Sequence, residues 1–414
     1  MTDDIDVILK AKETRQKTIQ SYLVKHQTVV TLKPNIPGDH KHTDLADLLL
    51  VIFHHYLKQL WRTPSQPMAS DDGDYILFGL EKDPIKTKKL CLYLEDNHHL
   101  GRFIDLDVHH KDMRLTRKDM QVKERTCFIC AKPASQCRRE GNHSKEALYD
   151  HVLYATKAFL IEALSEESIM ALRKELFTYP CFGLVSHRSN GKHKDMNISH
   201  FLAALKVLKI IFKQYLTMAL EASFNTKQLR QVGRKAEKRL LEATNGVNTH
   251  KGAHFIFGLC LPFYLQNIWQ RKSMHHFIID LRTAAAKIAR DDFKRNIKAT
   301  TNGLIAYHKY QAKGVRGELE SGLNSIFDWY PHKTLTPFQK LCKIMARCED
   351  TTLIKSHGYK ALEEIQACMK DLETQGFKHE QKVQKCLKSI VSPGGAADLL
   401  ALTFFFESTD HLLK

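Results

Sequence analysis

A chain of 414 residues, 43% hydrophobic and 26% charged, is long enough for two cores and too apolar to stay disordered. Its formal net charge of +17 fits polyanionic partners (nucleic acid, anionic membrane or phosphate-rich ligands) and equally fits a solvated basic surface. A membrane span or export signal is not expected: the start, MTDDIDVILKAKETRQK, lacks a basic flank and apolar core, and the most apolar window, HFIFGLCLPFYLQNIW (254–269), is short and carries Pro262.

In the first third, QTVVTLKPNIPG holds a β-branched run stopped by proline and glycine, which predicts a strand over Thr28–Leu32. The stretch DLADLLLVIFHHYLKQLW (44–61) predicts a long apolar helix with aspartate near its start. GDYILFGLEK and KKLCLYLED (88–96) read as two further strands, followed by a turn, the tight string GRFIDLDV (101–108) and a cysteine-rich loop. Residues 1–145 therefore form an expected α+β domain. From SKEALYDHVLYATKAFLIEAL onward, apolar residues recur at three- and four-residue spacing. The same period runs through ISHFLAALKVLKIIFKQYLTMALEASF, MHHFIIDLRTAAAKIARDDFKRNI, TPFQKLCKIMARC and GYKALEEIQACMKDLETQGF, so residues 146–414 are predicted to be all-α. The glycines of this half gather in short polar strings: FGLVSHRSNGKHKDM, NGVNTHKG, GVRGELESG and SPGGAADLL. Polar loops between apolar helices are where binding groups sit.

Two constellations in the first part and four polar strings in the helical half could carry chemistry. Asp105 and Asp107 stand two apart in GRFIDLDV, and residues i and i+2 share one face of a strand, so both carboxylates can hold one divalent ion. Gly101 would let a phosphate approach the backbone and Arg102 offers a guanidinium fork; an edge strand with its polar face in water is the plain alternative. In CFICAKPASQCRREGNH, Cys127, Cys130, Cys137 and His143 have the spacing of a closed tetrahedral zinc site. The ten cysteines otherwise lie scattered, as in a protein of a reducing, cytoplasmic compartment. In the helical half, His193 and Asp195, then Asn248, His250 and Lys251, then Arg316 and Glu318, and finally Gly394 and Gly395 at a helix start, provide the cations and backbone N–H groups that a phosphate site uses. Each string alone is as well explained by a capped turn.

Together the strings resemble the enzymes of citrate lyase prosthetic-group assembly. HHLGRFIDLDV, LTRKDM and RTCFICAKPASQCRREGNH resemble holo-citrate lyase synthase, which implies a nucleotidyltransferase-like first domain. GLV, GKHKDM, ATNGVNTHKG, GVRGELESG and SPGGAADLL resemble triphosphoribosyl-dephospho-CoA synthase, in the right order. The resemblance implies two reactions: ATP and 3′-dephospho-CoA are joined with loss of adenine, and the product is attached to a serine of the acyl-carrier (gamma) subunit of citrate lyase with loss of pyrophosphate. It further implies Mg2+ on Asp105 and Asp107 for nucleotidyl transfer, and on Glu318 or Asp350 for the synthase. Asn248, His250, Lys251, Arg316 and the Gly394–Gly395 turn would then meet the ATP triphosphate, with Asp195 or Glu318 as base towards the attacking 2′-hydroxyl and His193 assisting adenine.

Some positions depart from the family strings. Pro180-Cys181-Phe182 stands where Pro-Lys-Pro is usual, Ser186-His187 where Asp-Arg is usual, and Glu349-Asp350-Thr351-Thr352 where Gly-Asp-Thr-Asn is usual. A divergent member that binds ATP or a CoA-like ligand with lost or altered catalysis is therefore the alternative. Nucleic acid ranks last, because no basic stretch interleaved with aromatics is present.

Overall fold

The computed structural model describes residues 2–38, 40–294, 302–332, 334–388 and 391–414. Two units result: Met1–Leu160 with Trp269–Arg271, and Ile161–Ile268 with Lys272–Lys414. The first contains α1 (Thr2–Leu23), β1 (Thr28–Pro34), α2 (Asp44–Trp61), β2 (Ser65–Met68), β3 (Tyr75–Leu80), α3 (Pro84–Asn97), β4 (Ile104–His110), β5 (Met113–Leu115) and α4 (Ala134–Glu140). The strands form one antiparallel sheet in the order β2-β3-β1-β4-β5. This is the expected α+β architecture.

The sequence expectation fails at 88–96, which is helix α3 and not a strand. Leu90, Leu92 and Leu94 mimic a strand's alternation, but the start signal lies upstream, in Asp83 and Pro84. The Asp83 carboxylate accepts the Lys86 N–H at 2.7 Å, and Pro84 occupies the first turn, where its missing N–H costs nothing. The buried residues Thr87, Lys88, Cys91, Leu92, Leu94 and Glu95 then recur with a helical period. Helix α2 matches its expectation: the Thr43 hydroxyl accepts the Ala46 N–H at 3.1 Å, Asp44 and Asp47 sit in the first turn, and Arg62 closes the helix in a left-handed conformation.

Helix α1 packs on β1, β3 and β4, where Ile19 joins Val29, Tyr75 and Leu77 in a small core. A clamp reinforces the contact: Asp72, 6% exposed, accepts from Arg15 Nη1 at 2.7 Å and Lys33 Nζ at 2.8 Å. Helices α2 and α3 pack on the strands as well, α2 on β1 and β3 and α3 on β4. In the register, Lys33, Thr31 and Val29 stand opposite Asp105, Asp107 and His109. Directly opposed residues share a face, so both aspartates lie on the side of the sheet that carries α1.

Helix α5 (Lys145–Leu176) leads into the second unit. There follow α6 (Ile198–Ala219), α7 (Thr226–Ala243), α8 (Lys251–Trp269), α9 (Met274–Lys294), α10 (Asn302–Tyr310), α11 (Val315–Ser321), α12 (Asn324–Phe327), α13 (Pro337–Met345), α14 (Thr351–His357), α15 (Tyr359–Thr374), α16 (Glu380–Leu387) and α17 (Gly394–Thr409). Among the described residues this unit has no strand, as its periodicity predicts; residues 295–297 of the predicted MHHFIIDLRTAAAKIARDDFKRNI helix lie outside them. Its centre is aromatic. Tyr264 of α8 meets Phe277 of α9 at 5.2 Å and Phe405 of α17 at 5.3 Å, both edge-on, and the Thr409 hydroxyl donates to the Tyr264 hydroxyl at 3.0 Å. The deeply buried helices α8 and α17 each begin at one of the glycine-bearing polar strings. No described helix is long and apolar enough to cross a membrane.

Candidate functional sites

In the first unit, the alternation along β4 buries Ile104, Leu106 and Val108 and leaves Asp105 and Asp107 partly open, their side chains 45% and 39% exposed. Asp105 is held from one side: Arg125 Nη1 donates to it at 2.7 Å, and Arg125 Nη2 meets Glu95 at 2.6 Å. Glu95 is 3% exposed and also accepts the Leu106 N–H at 2.8 Å and pairs with Arg117 at 3.2 Å. A buried carboxylate thus fixes the arginine that orients Asp105, and nothing local in the sequence announces it. Arg114 of β5 reaches Asp107 at 3.5 Å. Arg102 lies over the Phe128 ring at 5.1 Å, donates to the Thr126 carbonyl, and has Nη1 buried without a hydrogen-bond partner among the described residues. Gly101 has a packing reason as well: a Cβ there would stand 2.2 Å from the Leu94 carbonyl oxygen. His109 continues the same strand face and is buried, which pulls its imidazole down to about 4.

The Cys/His loop brings its four residues together. One ligand atom each of Cys127, Cys130, Cys137 and His143 lies within 4.8 Å of all the others. Cys130 and Cys137 sulfurs stand 3.9 Å apart, close to the edge of about 3.8 Å that a tetrahedron with Zn–S bonds near 2.3 Å requires. His143 Nε2 is buried with no hydrogen-bond partner among the described residues, so the donor set fits a metal ion.

In the second unit, glycines let the polar strings touch one another. Gly183 donates to the Val391 carbonyl at 2.9 Å, and a Cβ there would be 2.3 Å from that oxygen. Gly191, at φ +59°, lies against the Gly183 carbonyl, which accepts the Lys192 N–H at 2.9 Å. His193 Nε2 reaches the Ser392 hydroxyl at 2.8 Å, whereas Asp195 is 73% exposed and 3.9 Å from His193 Nδ1. Asp350, 2% exposed, caps two helices at once: it accepts Thr352 N–H at 2.8 Å and Leu353 N–H at 3.2 Å in α14, and Ala396 N–H at 3.0 Å in α17. Burial pushes its carboxyl up while these backbone donors pull it down, and the balance is upward. Gly394 and Gly395 permit the approach, since their Cβ atoms would stand 3.2 Å from Thr352 Oγ1 and from Asp350 Cγ.

Asp398, inside SPGGAADLL, similarly accepts the Ala253 N–H at the start of α8. A Cβ on Gly252 would fall 1.9 Å from its Oδ2. Burial, then the Asp398 charge, holds Glu175 well above the usual carboxylate range; Asp398 is likewise raised well above it, by burial and then by Asp350. Lys251 pairs with Glu237 of α7, and Arg316, stacked 5.3 Å over Phe255, feels the same carboxylate. Glu237 has no sequence signal of its own. Asn248, His250 and Lys251 line a pocket with the end of α7. Glu318 accepts from Ser325 Oγ at 2.7 Å and borders an open pocket of about 520 Å³, shared with Lys313, Arg347, Glu349 and Lys370.

Two family matches divide this chain in order. Residues 3–159 match CitX, apo-citrate lyase phosphoribosyl-dephospho-CoA transferase, and residues 161–414 match CitG, ATP:dephospho-CoA triphosphoribosyl transferase. Protein CitXG of Haemophilus influenzae is 30% identical over 450 aligned residues, covering 98% of this chain and 96% of its own. Protein CitXG of Leuconostoc mesenteroides subsp. cremoris is 27% identical, covering 85% and 83%. The 2-(5''-triphosphoribosyl)-3'-dephosphocoenzyme-A synthase of Haemophilus ducreyi is 30% identical over 68% of this chain and 99% of its own. With both halves matched in sequence order and a relative aligned from end to end, the chain belongs to the CitXG family, in which a CitX-type transferase precedes a CitG-type synthase.

Proposed function

We propose that the chain makes the triphosphoribosyl-dephospho-CoA precursor from ATP and 3′-dephospho-CoA in residues 146–414, and transfers it to the acyl-carrier subunit of citrate lyase with residues 1–145. The observation that carries this reading is the pair of family matches in one chain, each falling on a unit that gathers its own polar strings. In the transferase half, Asp105 and Asp107 would hold Mg2+, which neutralises phosphate charge as pyrophosphate leaves. Arg125, braced by Glu95, keeps Asp105 turned along the open face. Arg114, beside Asp107, and Arg102, which feels the charge of Asp105, would supply positive charge for the incoming polyanion. Cys127, Cys130, Cys137 and His143 would bind zinc as a structural clasp for the loop that also presents Arg125.

In the synthase half, Asn248, His250, Lys251 and Arg316 serve the nucleotide beside the Gly394–Gly395 turn. Glu318 faces an open pocket and is the better placed of the two magnesium candidates, since Asp350 already caps two helices. Displacement of adenine leaves positive charge on the ribose, which a nearby carboxylate stabilises. Glu318 or Asp195 then takes the proton of the attacking 2′-hydroxyl, and His193, held by Ser392, hands one to departing adenine.

The test is direct. Protein incubated with ATP, 3′-dephospho-CoA and Mg2+ releases free adenine; addition of apo-carrier then releases pyrophosphate and raises the carrier's mass by the prosthetic group. Nucleotide binding with neither release would favour the divergent binder, a reading supported by Cys181, which is 4% exposed in the core at the place of the family's lysine.

A further inference from the structure

We propose that Arg125 is the positioning residue of the transferase half, and that zinc in the Cys/His loop decides whether it stands at Asp105; this rests on the reading of residues 1–145 as the carrier transferase. Residues 116–133 lie in no helix or strand, and among the described residues 116–144 Cys127 and Cys137 alone are buried. A stretch with no apolar core of its own depends on a metal or a cross-link for its shape. The stretch folds as a knuckle closed by the quartet. The Cys127 N–H donates to the Lys132 carbonyl at 2.8 Å, the Ala134 N–H to the Arg125 carbonyl at 2.9 Å, and the Ser135 N–H to the Glu124 carboxylate at 2.9 Å. Residues 124–127 are thus one arm of the knuckle and 132–135 the other.

The first arm grips the string that carries the proposed Mg2+ site. The Arg125 side chain, 14% exposed, reaches Asp105 Oδ1 at 2.7 Å and Glu95 at 2.6 Å. Beside it the Thr126 carbonyl accepts from Arg102, and the Phe128 ring stands edge-on to Phe103 at 5.3 Å and 5.1 Å from the Arg102 guanidinium. Arg125, Thr126 and Phe128 therefore meet Asp105, Arg102 and Phe103 in turn. The bond from Arg125 uses one oxygen of Asp105 and leaves the other for a divalent ion. A carboxylate held in this way has lost its free rotation, and a misplacement of about 1 Å near reacting groups costs about a hundredfold in rate. An open knuckle releases Arg125 and with it the setting of Asp105. Glu95 keeps its pair with Arg117 at 3.2 Å and the Leu106 N–H, so loss of Arg125 leaves no bare buried charge to unfold the sheet.

A knuckle that keeps its shape through hydrogen bonds alone is the competing account, and it predicts no response to loss of zinc. The test takes the full chain and its Arg125→Met variant, each zinc-loaded and each stripped by a chelator and returned to Mg2+ buffer. Carrier modification gives kcat and KM, and deuterium exchange gives the backbone protection of 124–137 and of β4. Stripping the wild type should lower kcat by about tenfold or more with KM for the carrier unchanged, and added zinc should restore it. Zinc-loaded Arg125→Met should show the same loss, and stripping the variant should add little, because both changes break one contact. Protection should vanish at 124–137 and persist in β4. Full kcat in the stripped wild type or in the loaded variant overturns the proposal. So do losses that multiply, or β4 opening together with the knuckle, which would reduce zinc to holding the fold. No carrier modification by the loaded wild type, with zinc-dependent protection at 124–137, would leave the clamp on Arg125 standing and sink the transferase reading; modification indifferent to zinc and to Arg125→Met does the reverse.

Discussion

Asp350 offers the sharpest separation of structural from catalytic roles, and Asp350→Asn is the perturbation to make. The wild-type carboxylate receives three backbone N–H groups at 2.8–3.2 Å, two from α14 and one from α17. An asparagine keeps one acceptor oxygen and turns an amino group towards donors on the other side. One charge-assisted bond is lost, worth about 1.5–3 kcal/mol, and the amino group facing N–H adds an unsatisfied pair at about 1–3 kcal/mol. The upward shift of the Asp350 carboxyl shows that its ionised form is itself strained by burial, which offsets part of this cost. A net loss of about 2–4 kcal/mol is expected, or a fall in Tm of roughly 5–12 °C for a unit of this size. The assay pairs a melting curve with ATP binding at graded Mg2+, measured well below the transition. The expected result is a lower Tm with unchanged magnesium dependence. An unchanged Tm with lost magnesium dependence would refute the capping argument and make Asp350 the metal ligand.

Three further outcomes follow from the same geometry. Asp107→Asn should abolish carrier modification and leave adenine release intact; survival of both activities removes Asp107 from the transferase site. Purified protein should carry about one equivalent of zinc, and chelation should expose the thiols of Cys127, Cys130 and Cys137 together; absence of zinc with those thiols already reactive refutes the metal site. His98, His109, His250 and His254 are each pulled down to about 4, chiefly by burial. Their folded values lie below the unfolded one, so the unfolded chain takes up protons first: stability is full above about pH 6.5 and falls as pH drops towards 4. Melting curves between pH 7.5 and 4.5 check this, and a flat Tm across that range would contradict the buried neutral state.

Much of the architecture was legible because long periodic runs speak clearly. The helical half follows from its spacing, and β1, β3 and β4 follow from β-branched or alternating stretches bounded by turn residues. Residues 88–96 were misread because three leucines at alternate positions imitate a strand over five residues, while the decisive cap, Asp83 with Pro84, stands outside that window. Helix α1 carries no comparable apolar stripe. It is fixed by contacts that only the folded sheet supplies, such as the Asp72 clamp with Arg15 and Lys33.

The candidate sites show a different limit. A glycine string beside polar residues reads as a phosphate loop, because exposed backbone N–H groups attract anions. In this unit several of those groups already have a carboxyl oxygen to donate to: Asp350 takes the start of α17 and Asp398 takes the start of α8. Gly252 and Gly395 leave room for these carboxylates, so the glycines first serve contact between the strings. What would remain for a nucleotide, on the proposed reading, is side-chain chemistry in Lys251, Arg316 and Asn248, with Glu237 paired to Lys251 and its charge felt by Arg316. Glu237 sits in an ordinary amphipathic helix and Glu95 in one misread as a strand, so neither could be found from local pattern. Asp105, Asp107 and the Cys/His quartet are the opposite case. Their spacing is what the proposed chemistry needs, two positions along a strand or a tight turn between two sulfurs, and such spacing survives in a sequence with no knowledge of what packs around it.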